Sequence, residues 1–128
     1  EGKLEAEIKE KWPILLENWH EKPEEVIMPE GESIKDVSER SIESFNKICL
    51  SQKNNDLTLV VAHDAVNKTL ICNILGMNHS NIWMIKQGNG GITAIDLFND
   101  PNKSPVISAL NITTHLGGII DSTASGAL

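Results

Sequence analysis

The 128-residue sequence predicts an α/β fold, and more narrowly the back half of a layered domain in which helices flank a mixed sheet. Three observations carry this reading. Apolar residues recur at helical spacing through the early part of the chain. An apolar run at 57–62 reads as a buried strand that stops on His63 and passes at once into a helical pattern. Two β-rich segments then lie on either side of a polar turn near the end. Three strands are fewer than a central sheet needs, so the sequence reads as part of a domain.

The elements follow in order. Leu4 and Ile8 begin a helical stripe that Pro13 interrupts, and Pro13 fits the first position of a second short helix carrying Leu15, Leu16 and Trp19. Residues 22–31, with Pro23, Pro29 and Gly31, form a loop. Ser33 opens the longest helix, with Asp36 three residues on as an approximate capping box and Ile34, Val37, Ile42, Phe45, Ile48 and Cys49 as the apolar face. Asn54-Asn55-Asp56 marks a turn before the strand at 57–62. After His63, a helix over 65–75 buries Val66, Leu70, Ile71 and Ile74 or Leu75, and Gly76 ends it. Ile82 to Lys86 reads as one helical turn. Gln87-Gly88-Asn89-Gly90-Gly91 permits positive backbone dihedrals and leads into a strand from Ile92 to Phe98, which pairs with Val106 to Asn111 as a hairpin. Residues 1–116 form the domain portion, and 117–128, rich in Gly, Ser and Ala, a loose tail.

Net charge is −7 and unevenly spread, with 14 acids and 8 bases in residues 1–56 against 4 acids and 3 bases in 57–128. An acidic chain without a basic run argues against nucleic acid and anionic membrane as partners, and no apolar run has the length of a membrane span. Cys49 and Cys72 lie in apolar helical patterns and read as buried thiols of a reducing, cytoplasmic setting. They lack metal-ligand spacing, as do His20, His79 and His115, so neither a metal nor a cofactor is expected. Arg40 is the single arginine. Proteins that hold phosphate usually bring several cationic or forked donors to it, so a phosphate clamp built on this chain alone would be short of donors.

His63 is the residue of most interest. In open parallel sheets ligands collect at the carboxyl ends of strands, and the helix that follows adds free N–H groups and the positive end of its dipole, a setting that suits phosphate. The alternative is a strand-end histidine that only packs or caps.

Several separate segments carry one resemblance. Glu1-Gly2-Lys3 with Glu7-Ile8, Pro29-Glu30-Gly31-Glu32-Ser33 followed by Asp36 and Arg40, Val60-Val61-Ala62-His63, and Gln87-Gly88-Asn89-Gly90-Gly91 occur in family order and resemble the histidine phosphatase superfamily, also called phosphoglycerate mutase-like. Ala62-His63-Asp64-Ala65-Val66-Asn67 and the ending Leu110-Asn111-Ile112-Thr113-Thr114-His115-Leu116 resemble the last part of its cyanobacterial and plastid members. The resemblance implies the back half of a three-layer phosphoglycerate mutase-like domain. Such proteins pass a phosphoryl group through a phosphohistidine in an Arg-His-Gly motif, with a glutamate as acid and two arginines and a second histidine gripping the phosphate. No Arg-His-Gly occurs in these 128 residues, and Glu1 matches the neighbour of the acid rather than the acid. By the same resemblance His63 is the second histidine, a hydrogen-bond donor to a phosphoryl oxygen.

The backbone N–H groups of Asp64 and Ala65 would cradle the same oxygens. The Asp64 side chain, where many members have glycine, is expected to turn away and cap the helix. Glu32 is expected to tie loops and Ser33 to cap. Arg40 either reaches substrate or forms a surface ion pair with Glu43, and Asn89 either places its amide at the pocket rim or serves the turn. The implied activity is phosphomonoester hydrolysis of a small phosphorylated substrate, using a phosphohistidine supplied by a missing N-terminal half. Phosphoglycerate mutase activity and a degenerate domain that binds a phospholigand or partner without turnover are the alternatives. Substrate identity and oligomeric state are not legible.

Overall fold

The computed structural model describes residues 2, 4–100 and 102–117. Its regular elements are α1 (Glu5–Lys11), α2 (Pro13–Glu21), α3 (Ile34–Ser51), α4 (Asp64–Leu75), β1 (Ile92–Asp96) and β2 (Val106–Ile112). Short 3₁₀ turns cover Pro23–Glu25, His79–Met84 and Thr114–Leu116. The proposed tail beyond Gly117, and Glu1 and Lys3 of the opening motif, lie outside the described residues.

Local chemistry sets the helix boundaries. Pro13 takes the first position of α2, where its missing N–H costs nothing. Ser33 caps α3 through a reciprocal box: Asp36 N–H donates to Ser33 Oγ at 3.2 Å, and the Asp36 carboxylate accepts from Ser33 N–H at 2.9 Å. Gly76 ends α4 in the left-handed conformation, φ 64°.

The core gathers Trp19 from α2, Val26, Ile34 from α3, Ile71 and Cys72 from α4, and Ile82 and Ile85 from the following turn. Ile107 of β2 packs against this cluster. On α3 the expected apolar face is only partly realised: Ile34 and Phe45 are buried and Val37, Ile42, Ile48 and Cys49 half-buried, while Ser38 and Ser41 take core-facing positions. Burial of these hydroxyls is compensated by hydrogen bonds. Ser41 donates to the Val37 carbonyl, and Ser38 Oγ accepts from Asn73 Nδ2 at 2.8 Å and meets His79 Nε2 at 3.0 Å, which ties α3, α4 and the 3₁₀ turn together. On α4, Ile71 is buried, Val66, Leu70 and Ile74 are half-buried, and Leu75 is exposed.

β1 and β2 form the expected antiparallel hairpin, with Ile92 opposite Ile112 and Asp96 opposite Val106 and with irregular register between. The strand expected at 57–62 does not form among the described residues. Leu57, Leu59 and Val61 are 99%, 82% and 86% exposed, and the sheet contains β1 and β2 alone. The apolar run has the composition of a buried strand, but a strand exists only through a ladder partner, and none of the described segments pairs with it. No helix among the described residues is long and apolar enough to cross a membrane.

Candidate functional site

His63 stands at the N-cap of α4 with extended backbone, φ −87° and ψ 161°. Its side chain is exposed and makes no capping hydrogen bond. The first helical bond runs from Asn67 N–H to the His63 carbonyl at 2.9 Å. The N–H groups of Asp64, Ala65 and Val66 precede it and lie within the first turn, where a helix offers donors and positive potential to an anion.

Asp64 does not cap α4, contrary to expectation. It occupies the first helical position, and its Oδ2 lies 3.0 Å from Lys68 Nζ, one turn along. Lys68 is buried, its side chain 8% exposed, and its ammonium also sits 4.7 Å from the centroid of the Trp83 ring. Trp83 donates through Nε1 to the Trp19 carbonyl at 2.8 Å and meets the Trp19 ring edge to face, centroids 5.2 Å apart. The burial of Lys68 was missed from the sequence. The acid-before-base spacing of Asp64 and Lys68 was the available signal.

Arg40 pairs with Glu32, through Nε at 2.7 Å and Nη2 at 2.9 Å, and not with Glu43, which takes Lys47 at 2.6 Å. Hydrogen bonding to Glu32 raises the Arg40 guanidinium pKa above its ordinary value. Glu32 thus ties its turn to α3, as expected. Asn89 is exposed in the turn before β1. That loop is held by Gly88 N–H donating to Asn111 Oδ1 at 2.8 Å and by Gly91 N–H reaching the Gly88 carbonyl at 2.9 Å. A side chain at Gly91 would collide with Asn111 Oδ1 and crowd the Gly88 carbonyl.

His63, Asp64 and Ala65 therefore share one helix end. Arg40 and Asn89 stand on other elements, and no hydrogen bond or ion pair joins either to His63 among the described residues. An apolar groove of about 470 Å³ lies elsewhere, at the α1–α2 junction beside Trp12, Leu15, Val26 and Ile27. No group of three or more His, Cys, Asp or Glu among the described residues could hold a metal ion.

Comparison with known proteins places this chain in a family. The model of the histidine phosphatase superfamily (branch 1) matches residues 1–113. Phosphoserine phosphatase 1 of Hydrogenobacter thermophilus is 32% identical over 116 residues, covering 91% of this chain and 53% of that protein. The 2-carboxy-D-arabinitol-1-phosphatase of Triticum aestivum is 27% identical over 111 residues, covering 87% of this chain and 22% of its own length. The chain thus spans about half or less of the length of these relatives. Among solved structures, Bacillus stearothermophilus YhfR superposes with a TM-score of 0.74 at 23% identity, covering 84% of this chain and 52% of that one, a likeness of fold. A phosphoserine phosphatase mutant from Entamoeba histolytica, in complex with phosphoserine, superposes with a TM-score of 0.57 at 30% identity over 67% of this chain and 42% of the other. With its helix-end histidine, its α/β fold and a family match over most of its length, this chain belongs to the histidine phosphatase superfamily.

Proposed function

We propose that the protein carrying this chain is a cytoplasmic phosphomonoesterase acting on a small phosphorylated substrate, and that His63 donates a hydrogen bond to a phosphoryl oxygen as charge builds on it. The observation that carries the reading is an exposed, uncapped imidazole at the head of α4, immediately before three N–H groups in the first turn. The similarity to phosphoserine and 2-carboxy-D-arabinitol-1-phosphate phosphatases supports the substrate class. Asp64 and Ala65 contribute backbone N–H groups, and Asn89 either brings its amide to the pocket rim or serves the turn before β1. No Arg-His-Gly sequence occurs here, so the phosphohistidine nucleophile comes from outside residues 1–128. The ending Leu110 to Leu116 supports a cyanobacterial or plastid-type member.

The test uses the intact protein with p-nitrophenyl phosphate. Turnover should persist in EDTA, and His63→Ala should lower kcat by roughly 10²- to 10³-fold, the loss associated with one transition-state donor. Because the side chain is exposed, the same change should move stability by no more than about 0.5 kcal/mol. Normal kcat in His63→Ala would remove the catalytic assignment. Phosphate binding without turnover in the unmodified protein would point to a degenerate binding domain.

A further inference from the structure

Asp64 presents a difficulty for the site just described. A carboxylate in the residue next to His63 adds negative charge to a helix end that is to receive an anion, and like charges so placed weaken binding. The pairing of Asp64 bears directly on this. Its Oδ2 lies 3.0 Å from Lys68 Nζ, and its Oδ1 is buried without a hydrogen-bond partner, so the ammonium is the group that compensates the carboxylate. Lys68 sits one turn further along α4, and helical side chains lean toward the N-terminus, which brings its ammonium back beside the first turn. A cation there is itself opposed by the helix dipole and by burial, so its position depends on the carboxylate and on the Trp83 ring at 4.7 Å. Trp83 is in turn fixed to α2 through the Trp19 carbonyl.

We propose that Lys68 is a positioning residue for the anion site: it neutralises Asp64 and holds that carboxylate against α4, so that the free N–H groups and His63 meet a phosphate without local repulsion. The proposal rests on the reading of His63 as a phosphate ligand. It implies that anion affinity follows the charge of the pair, a dependence that a purely structural ion pair does not have.

The experiment measures the affinity of the intact protein for inorganic phosphate, and for vanadate as a second probe, at low and high salt. Four proteins are compared: the unmodified protein, Lys68→Met, Asp64→Asn, and the double variant. Lys68→Met should weaken phosphate binding by roughly threefold to tenfold, and Asp64→Asn should tighten it by a similar factor, the scale of one charge acting through partly solvated protein. The double variant, neutral again, should return close to the starting affinity, and the differences should shrink in high salt. Should Lys68→Met fail to fold, Asp64→Asn and the double variant still decide, since tighter binding by Asp64→Asn is not a consequence of lost packing. Equal affinity across all folded variants overturns the proposal. His63→Ala serves as the separate control. If it abolishes phosphate binding while the pair variants change nothing, the Lys68 proposal fails alone, and if the unmodified protein shows no phosphate binding, both readings fall.

Discussion

The Arg40–Glu32 pair offers a test in which stability and function give separate answers. Two parallel N–H to carboxylate bonds, at 2.7 and 2.9 Å, favour strength, whereas side-chain exposures of 53% and 47% favour screening by water. Exposed pairs contribute about 0.2 to 1 kcal/mol, and forked geometry puts this one near the upper end. A coupling of about 1 kcal/mol corresponds to a melting shift of roughly 3 to 5 °C for a domain of this size. Arg40→Ala, Glu32→Ala and the double variant should therefore form a cycle with that coupling energy in low salt and markedly less in 1 M NaCl, where the screening length falls to about 3 Å. The same proteins are assayed for kcat/KM. If Arg40 serves to hold the Glu32 turn against α3, both single variants should lower kcat/KM equally and modestly. A loss in Arg40→Ala at least tenfold beyond that in Glu32→Ala would refute this reasoning and place the guanidinium on the substrate.

Two further outcomes are expected. Hydrogen bonds from the Ser33 hydroxyl and then the Ser33 backbone hold the Asp36 carboxyl below its ordinary value of 3.8, so its contribution is present above that value and lost as pH falls through the depressed one. Ser33→Ala should cost about 1 kcal/mol at neutral pH, and the stability advantage of the unmodified protein over Asp36→Asn should shrink as pH falls below 3.8 and through the depressed value. Leu57, Leu59 and Val61 stand open to water, so the 128-residue chain alone should bind a hydrophobic dye in its folded state, and substitution of these three residues by Thr should remove most of the signal. Dye binding unchanged by the substitutions would show that the accessible apolar surface lies elsewhere.

What the sequence revealed about the fold was what local chemistry determines. Pro13, the Ser33–Asp36 box and Gly76 each act within a turn of chain, and the helix boundaries they predict are those observed. The hairpin was legible because its two β-rich segments are neighbours separated by a polar turn. The strand at 57–62 was not, because composition describes one strand and pairing requires two. The site divided in the same way. His63 was visible at the junction of an apolar run and a helix, whereas the capping role expected of Asp64 gave way to a buried lysine whose environment is supplied by Trp83, fifteen residues away. The Ser38–Asn73 and Ser38–His79 contacts bridge longer gaps, of 35 and 41 residues, and no local pattern announces them.

The Trp19–Trp83 contact has an optical consequence. Two indoles with centroids 5.2 Å apart and planes at 81° are close enough for their transition dipoles to interact. Lys68 places its ammonium over one of these chromophores, while the third indole, Trp12, has Lys11 at 4.4 Å and lies in the α1–α2 groove. An ammonium fixed over an indole face alters its emission through its electric field. Emission from Trp83 should therefore change when the Lys68 ion pair at the head of α4 is broken, without a substrate, a label or a chemical step.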